Sequence, residues 1–135
     1  MEDIGLIISN LVSNKSIHLS IQGPAGCGKH YMLTEALKTQ KIPYLELDGQ
    51  DYVSSPYNFY TKLSENRDGV FIITQPQHAN AQFITTIKSL MDSMIVKLVS
   101  PTMVFQFNFT GRIILLSDYE IDRSIQCRSY FIKID

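Results

Sequence analysis

The sequence predicts an α/β fold, a mainly parallel sheet layered between helices, and two observations carry that expectation. Segments rich in apolar and β-branched residues alternate along the chain with segments whose apolar residues recur at helical spacing. The first strand-like segment also runs directly into a glycine-rich octapeptide, GPAGCGKH at residues 23–30, which opens a helical segment. With 135 residues, 44% of them apolar and 19% charged, the chain suits one domain with a real core, and it has no Gly/Ser or Gln/Asn tract. A single domain over residues 1–135 is expected.

Met1-Glu2-Asp3 precede a short apolar stretch and lack the basic start of a signal peptide. SIHLSIQ (16–22) reads as a strand ending at the glycines, and KHYMLTEALKTQ (29–40), with Met32, Leu33, Ala36 and Leu37 on one face, reads as a helix of about three turns. IPYLELDG is a short strand closed by Asp48-Gly49, and SSPYNFYTKLSEN a helix announced by Ser55 with Pro56 at its first position. GVFIITQP (69–76) is a nearly continuous apolar run stopped by proline, as in a strand buried on both faces. NAQFITTIKSLMDSM places Phe83, Ile84, Ile87, Leu90 and Met91 on one helical face, and IVKLVSPTMVFQFNF reads as a hairpin joined around Ser100-Pro101. GRIILLSD is a buried strand, YEIDRSIQC a short helix and SYFIKI a closing strand. The expected architecture is a three-layer αβα core around a five-stranded sheet, with the hairpin inserted and the binding site at the carboxyl ends of the strands.

The octapeptide fits G-x-x-x-x-G-K-[ST] up to its last position. In that pattern the glycines let backbone N–H groups curl around phosphates, the lysine reaches the terminal ones, and the hydroxyl holds Mg²⁺. Gly23, Gly28 and Lys29 match; Pro24, Ala25, Gly26 and Cys27 fill the interval, and His30 then Tyr31 follow where a hydroxyl residue is expected. Residues 23–31 are therefore the candidate nucleotide loop, for ATP or ADP. The alternative is a glycine turn whose lysine is solvated, and the flanking strand and helix argue against it.

A formal charge of −1 gives no bulk attraction to nucleic acid or anionic membrane, and no apolar run approaches the roughly 18 to 20 residues of a membrane span. Cys27 and Cys127 stand alone, outside metal-ligand spacing, and His18, His30 and His78 fall on different elements, so no metal site is expected and a reducing cytoplasmic setting is. Cys27 reads either as a reactive thiol near a helix N-terminus or as a small loop residue, the latter being favoured. Asp48, Asp51, Asp92 and Asp118 are scattered carboxylates, read as caps and turn residues, with Asp118 preferred if any serves the site. Phe105, Phe107 and Phe109 recur at period two, which suits core packing better than stacking on a single strand, since Lys97 is the hairpin's lone cation.

The block FNFTGRIILLSDYEIDRSIQCRSYFIKI (107–134), together with the glycine loop, resembles the core of AAA+ ATPases, most closely phage-type and clamp-loader-type members, over roughly residues 5–135. The resemblance implies that Ser117 stands at the sensor 1 position and Arg128 at the arginine-finger position, which reaches the nucleotide of a neighbouring subunit. Three departures accompany it. The Walker B strand of the family ends in two acidic residues, where this chain has Thr74 and Gln75; His30 replaces the Mg²⁺-binding hydroxyl; and residues 1–135 contain no counterpart of the helical lid. Mg²⁺ prefers hard oxygen ligands, so its binding is doubtful, and loss of a positioned base costs about 10²- to 10⁴-fold in rate.

The expected function is thus a degenerate, nucleotide-binding AAA+-like domain with little or no hydrolysis, a regulatory or structural subunit in a homo-oligomer or beside a partner ATPase. The resemblance places it in phage or mobile-element DNA metabolism such as replication, in the host cytoplasm if viral, touching nucleic acid only indirectly and no membrane. Two alternatives stay open: an unorthodox active ATPase in which Asp118 and His30 replace the missing ligands, and a nucleotide-free interaction module that mimics an ATPase subunit.

Overall fold

In the computed structural model, residues 4–14, 17–92, 95–100 and 103–135 are described. Five short strands form one sheet: β1 (Leu19–Gln22), β2 (Leu45–Asp48), β3 (Val70–Thr74), β6 (Arg112–Ser117) and β7 (Tyr130–Lys133), in the order β2-β3-β6-β1-β7. All four pairings are parallel. The register sets Gln22 beside Ser117 and Thr74 beside Leu116, so the carboxyl ends of the three central strands finish level along one edge.

All six residues of β6 are buried, and period two divides them between the two faces. Ile114 and Leu116 join Leu19, Ile21 and Ile72 beneath α1 (Ile4–Val12) and α2 (Lys29–Thr39). Ile113 and Leu115 join Phe71 and Ile73 beneath α3 (Gly49–Ser54), α4 (Pro56–Glu65), α5 (Ala81–Met91) and α6 (Arg123–Gln126). Two apolar clusters on opposite faces of one sheet make the expected three layers.

The hairpin β4 (Ile95–Ser100) and β5 (Met103–Asn108) is a separate antiparallel pair, with Ile95 opposite Asn108. Its expected turn at Ser100-Pro101 falls partly outside the described residues. Phe107 is buried against Tyr60, ring centroids 6.4 Å apart, Phe109 is fully buried against Phe71, and Phe105 meets Tyr57 edge-on at 5.7 Å. The aromatic stripe is core.

Two helices went unread in the sequence. In α1, IGLIISNLV is a short, strongly apolar run, and at nine residues its pattern does not separate a helix from a buried strand. In α3, Asp48-Gly49 starts a helix instead of only closing a strand: the Asp48 carboxylate accepts the Gln50 N–H at 2.9 Å as an N-cap, and six residues are too few for periodicity. The first strand begins at Leu19 rather than Ser16, which lies outside the described residues.

A buried arginine closes the amino-terminal end of the sheet. Arg112, at the start of β6, donates to the carbonyls of Leu11 and Val12 at 2.7 Å each and of Ile17 at 2.5 Å, satisfying the open C-terminus of α1. Beside it, His18 Nδ1 accepts the Ile113 N–H at 3.0 Å. Burial, assisted by the Arg112 charge, pushes the His18 imidazole below its ordinary range, and the acceptor role of Nδ1 likewise requires the neutral ring.

Candidate functional site

The glycine loop connects the end of β1 to α2, and the sheet seats it from the next strand: Gly23 N–H donates to the Ser117 carbonyl at 3.0 Å, continuing the β1–β6 ladder by one bond. Gly26 and Gly28 hold φ of 84° and 89°, the left-handed region that favours glycine, and a Cβ at either would meet only open space. The loop is therefore a backbone cradle with its inner side clear.

Gly28 is also the N-cap of α2, so no side chain satisfies the first N–H groups of that helix, and no acidic residue lies in its first turn. By contrast, Asp48, Asn80 and Asp122 cap α3, α5 and α6 through hydrogen bonds of 2.8–2.9 Å. An uncapped, positively polarised helix end behind a glycine loop is chemically suited to an anion. The loop bounds a cleft of about 280 Å³, with Gly26, Gly28 and Lys29 among its lining on one side and Thr74, Leu116 and Asp118 on the others.

Lys29 is buried to 8% exposure, and its Nζ pairs with Asp118 Oδ1 while lying 3.5 Å from the Pro24 carbonyl. His30, at the position of the expected hydroxyl, is exposed and pairs through Nε2 with Glu46 of β2. Tyr31 is 68% exposed, the most open large apolar side chain among the described residues. Cys27, partly exposed, lies against Gly23, where an added Cβ would stand 2.9 Å from its sulfur.

The carboxyl end of β3 carries no acid into the cleft. Thr74 lines it, whereas Gln75 is buried, its N–H donated to the Leu116 carbonyl at 2.8 Å and its side-chain amide to the Glu120 carbonyl at 3.2 Å. Leu116 of β6 and Asp118, just past the end of that strand, line the cleft, whereas Ser117 does not. Ser117 is fully buried; its hydroxyl donates to the Tyr119 carbonyl at 2.7 Å and accepts the Tyr119 N–H at 2.9 Å, tying off the strand. The polar group that follows β6 into the cleft is therefore Asp118.

Arg128 is engaged within the chain. Its Nε lies 3.0 Å from both carboxylate oxygens of Asp92, and its Nη1 donates to the Ser124 carbonyl at 2.8 Å, so it clasps the end of α5 to α6. The loop residues 23–31 and Asp118 are brought together; Ser117 and Arg128 are not part of the cleft's lining. Glu46 was missed, although LELD on a strand places Glu46 and Asp48 on one face; only the β2–β3 pairing brings that face toward His30.

The donors present suit a phosphate better than a divalent cation. A ligand's phosphates would meet the loop amides and Lys29, whereas the hard oxygens facing the cleft are the Thr74 hydroxyl and a carboxylate already committed to Lys29. Among the described residues no group of three or more His, Cys, Asp or Glu side chains is placed to hold a metal, and no helix is long and apolar enough to cross a membrane.

No family model matches the chain, and no curated protein does. Among solved structures it is similar to the RuvB Holliday junction branch migration motor of Thermotoga maritima, with a TM-score of 0.65 and 13% identity over 98% of this chain and 42% of that one. A mutant of the same RuvB gives a TM-score of 0.65 at 12% identity, covering 98% of this chain and 43% of that one. The chain thus spans less than half the length of these neighbours. At such identity the likeness is one of fold: the described residues adopt a three-layer α/β/α core of the P-loop NTPase kind.

Proposed function

We propose that the chain binds an adenine nucleotide, ATP or ADP, through residues 23–31 and hydrolyses it little or not at all, serving as a regulatory or structural subunit of a larger assembly. The observation that carries this reading is the pairing of an uncapped, glycine-lined helix end with a buried lysine in a strand-loop-helix setting. The expectation of weak turnover rests on Thr74 and Gln75 at the end of β3, where neither side chain can act as a carboxylate base.

Titration calorimetry with ADP and ATP, with and without Mg²⁺, tests it. Wild-type protein should bind with an affinity that Mg²⁺ changes less than threefold, Lys29→Ala should lose at least tenfold, and phosphate release should stay near the uncatalysed rate. Absence of binding by wild type at millimolar nucleotide would end the proposal. Sustained phosphate release that vanishes in Asp118→Asn would favour the second reading, an unorthodox ATPase, which the contact between Asp118 and Lys29 supports.

Assembly belongs to the same proposal. RuvB is a motor of Holliday junction branch migration; for this chain, contact with a second copy or a partner ATPase, an Arg128 that reaches a neighbour's nucleotide, and a phage or mobile-element setting rest on the resemblance of the 107–134 block. Arg128 would first have to leave Asp92.

A further inference from the structure

We propose that Asp118 is a built-in competitor for the phosphate loop, whose carboxylate holds the Lys29 ammonium in place of a ligand phosphate and so sets the affinity of the site. The inference rests on the nucleotide reading above and concerns its regulation. Lys29 is 8% exposed, and its ammonium has two partners near it, the Asp118 carboxylate and the Pro24 carbonyl at 3.5 Å. Asp118 is the half-exposed member, at 42%, on the turn just past β6, so it is the partner free to swing out while Lys29 stays.

Charge bookkeeping points the same way. The loop contributes one fixed cation, Lys29, and Asp118 cancels it, while the neighbouring His30 is engaged by the carboxylate of Glu46. A phosphate entering the cleft therefore meets backbone amides and a neutralised lysine, and it gains the full attraction of the ammonium only after displacing Asp118, whose negative charge otherwise repels it. With its acidic member half-exposed to water the pair is open to exchange, and a doubly charged phosphate competes favourably with a single carboxylate for a lysine at a helix N-terminus. The walls beside it add to this arrangement, because Thr74 on β3 offers a hydroxyl where a second acid would hold the lysine from another direction.

The full chain and its Asp118→Asn and Asp118→Ser variants, titrated with ADP and with inorganic pyrophosphate in metal-free buffer, test the proposal. Both variants should bind each ligand five- to twentyfold more tightly than wild type, with the gain shrinking in Asp118→Glu, which restores the carboxylate. Affinity unchanged in Asp118→Asn and Asp118→Ser while wild type binds would overturn the competitor and leave the nucleotide reading intact. Weaker binding that appears only when Mg²⁺ is added would overturn it differently, making Asp118 a metal ligand. Failure of wild type and both variants to bind ADP and pyrophosphate would overturn the nucleotide reading together with this one.

Discussion

At the scale of single residues, a buried arginine and a half-buried histidine at the amino-terminal end of the sheet matter as much as the loop at the other. Arg112 places its guanidinium on the carbonyls of Leu11, Val12 and Ile17, the first of which also accepts the Asn14 N–H at 3.1 Å. Replacing it by leucine removes three hydrogen bonds from a charged donor, and chemical denaturation of Arg112→Leu should show a loss of about 2–3 kcal/mol, with a smaller loss in Arg112→Lys. His18 makes a pH-dependent contribution whose sign follows from its depressed pKa. The unfolded imidazole takes up a proton near its ordinary 6.5, whereas the folded ring resists it to lower pH, so the contribution is fully present above 6.5 and is lost as pH falls below that value toward the folded one. Urea midpoints measured between pH 7.5 and 5 should fall for wild type and fall less for His18→Gln, an uncharged residue able to accept the Ile113 N–H. Equal slopes would remove His18 as the cause.

Among the elements, α5 is the one whose ends do the most. Its amino end is capped by Asn80, which accepts the Phe83 N–H at 2.8 Å, and its apolar face, with Phe83, Ile87 and Leu90 fully buried, covers the sheet. Asn80→Ala should cost about 1 kcal/mol by thermal or urea unfolding with the far-ultraviolet dichroism unchanged, and Asn80→Asp should cost little. This helix was legible in the sequence because five apolar residues repeat on one face between a cap and a polar end. So were the strand ending at the glycines, whose apolar residues alternate, and the strand stopped by Pro76, a continuous apolar run of the kind that buried parallel strands show. The six-residue α3 was hidden by its length, and α1 by an apolar run too short to separate helix from strand. The site was legible only to the extent that it is local: the octapeptide announces residues 23–31, whereas Ser117 and Asp118 are neighbours in sequence of which Asp118 alone lines the cleft. Which of them reaches Lys29, 89 positions away, depends on the pairing of β1 with β6, and no spacing rule gives that.

For the molecule as a whole, the strand order places the two ends of the chain side by side. β1 pairs with β6 on one edge and β7 on the other, so both partners of the strand that carries the loop come from residues 112–133. The loop is held from the same region, through Gly23 to Ser117 and through Ile134, whose N–H donates to the Gln22 carbonyl at 2.7 Å. Native-state hydrogen exchange should therefore show the amides of β1 opening with those of β6 and β7 as one unit, separately from the β4–β5 hairpin, which shares no ladder with the sheet. Protection of β1 that tracks the hairpin instead would contradict this division.

That strand order also bears on how the protein comes into being. A ribosome that has delivered residues 1–110 has made every letter of the glycine loop, its lysine and the helix behind it, yet neither neighbour of the strand that must hold them. The apolar surface that α1, α2 and β1 turn toward β6 and β7 then lacks that cover until residues 112–133 emerge, a late, long-range pairing of the kind that folds slowly and exposes nascent chains to association. The cleft beside Lys29 is thus completed only when residues 112–133 have joined β1, well after its own glycine loop has been made.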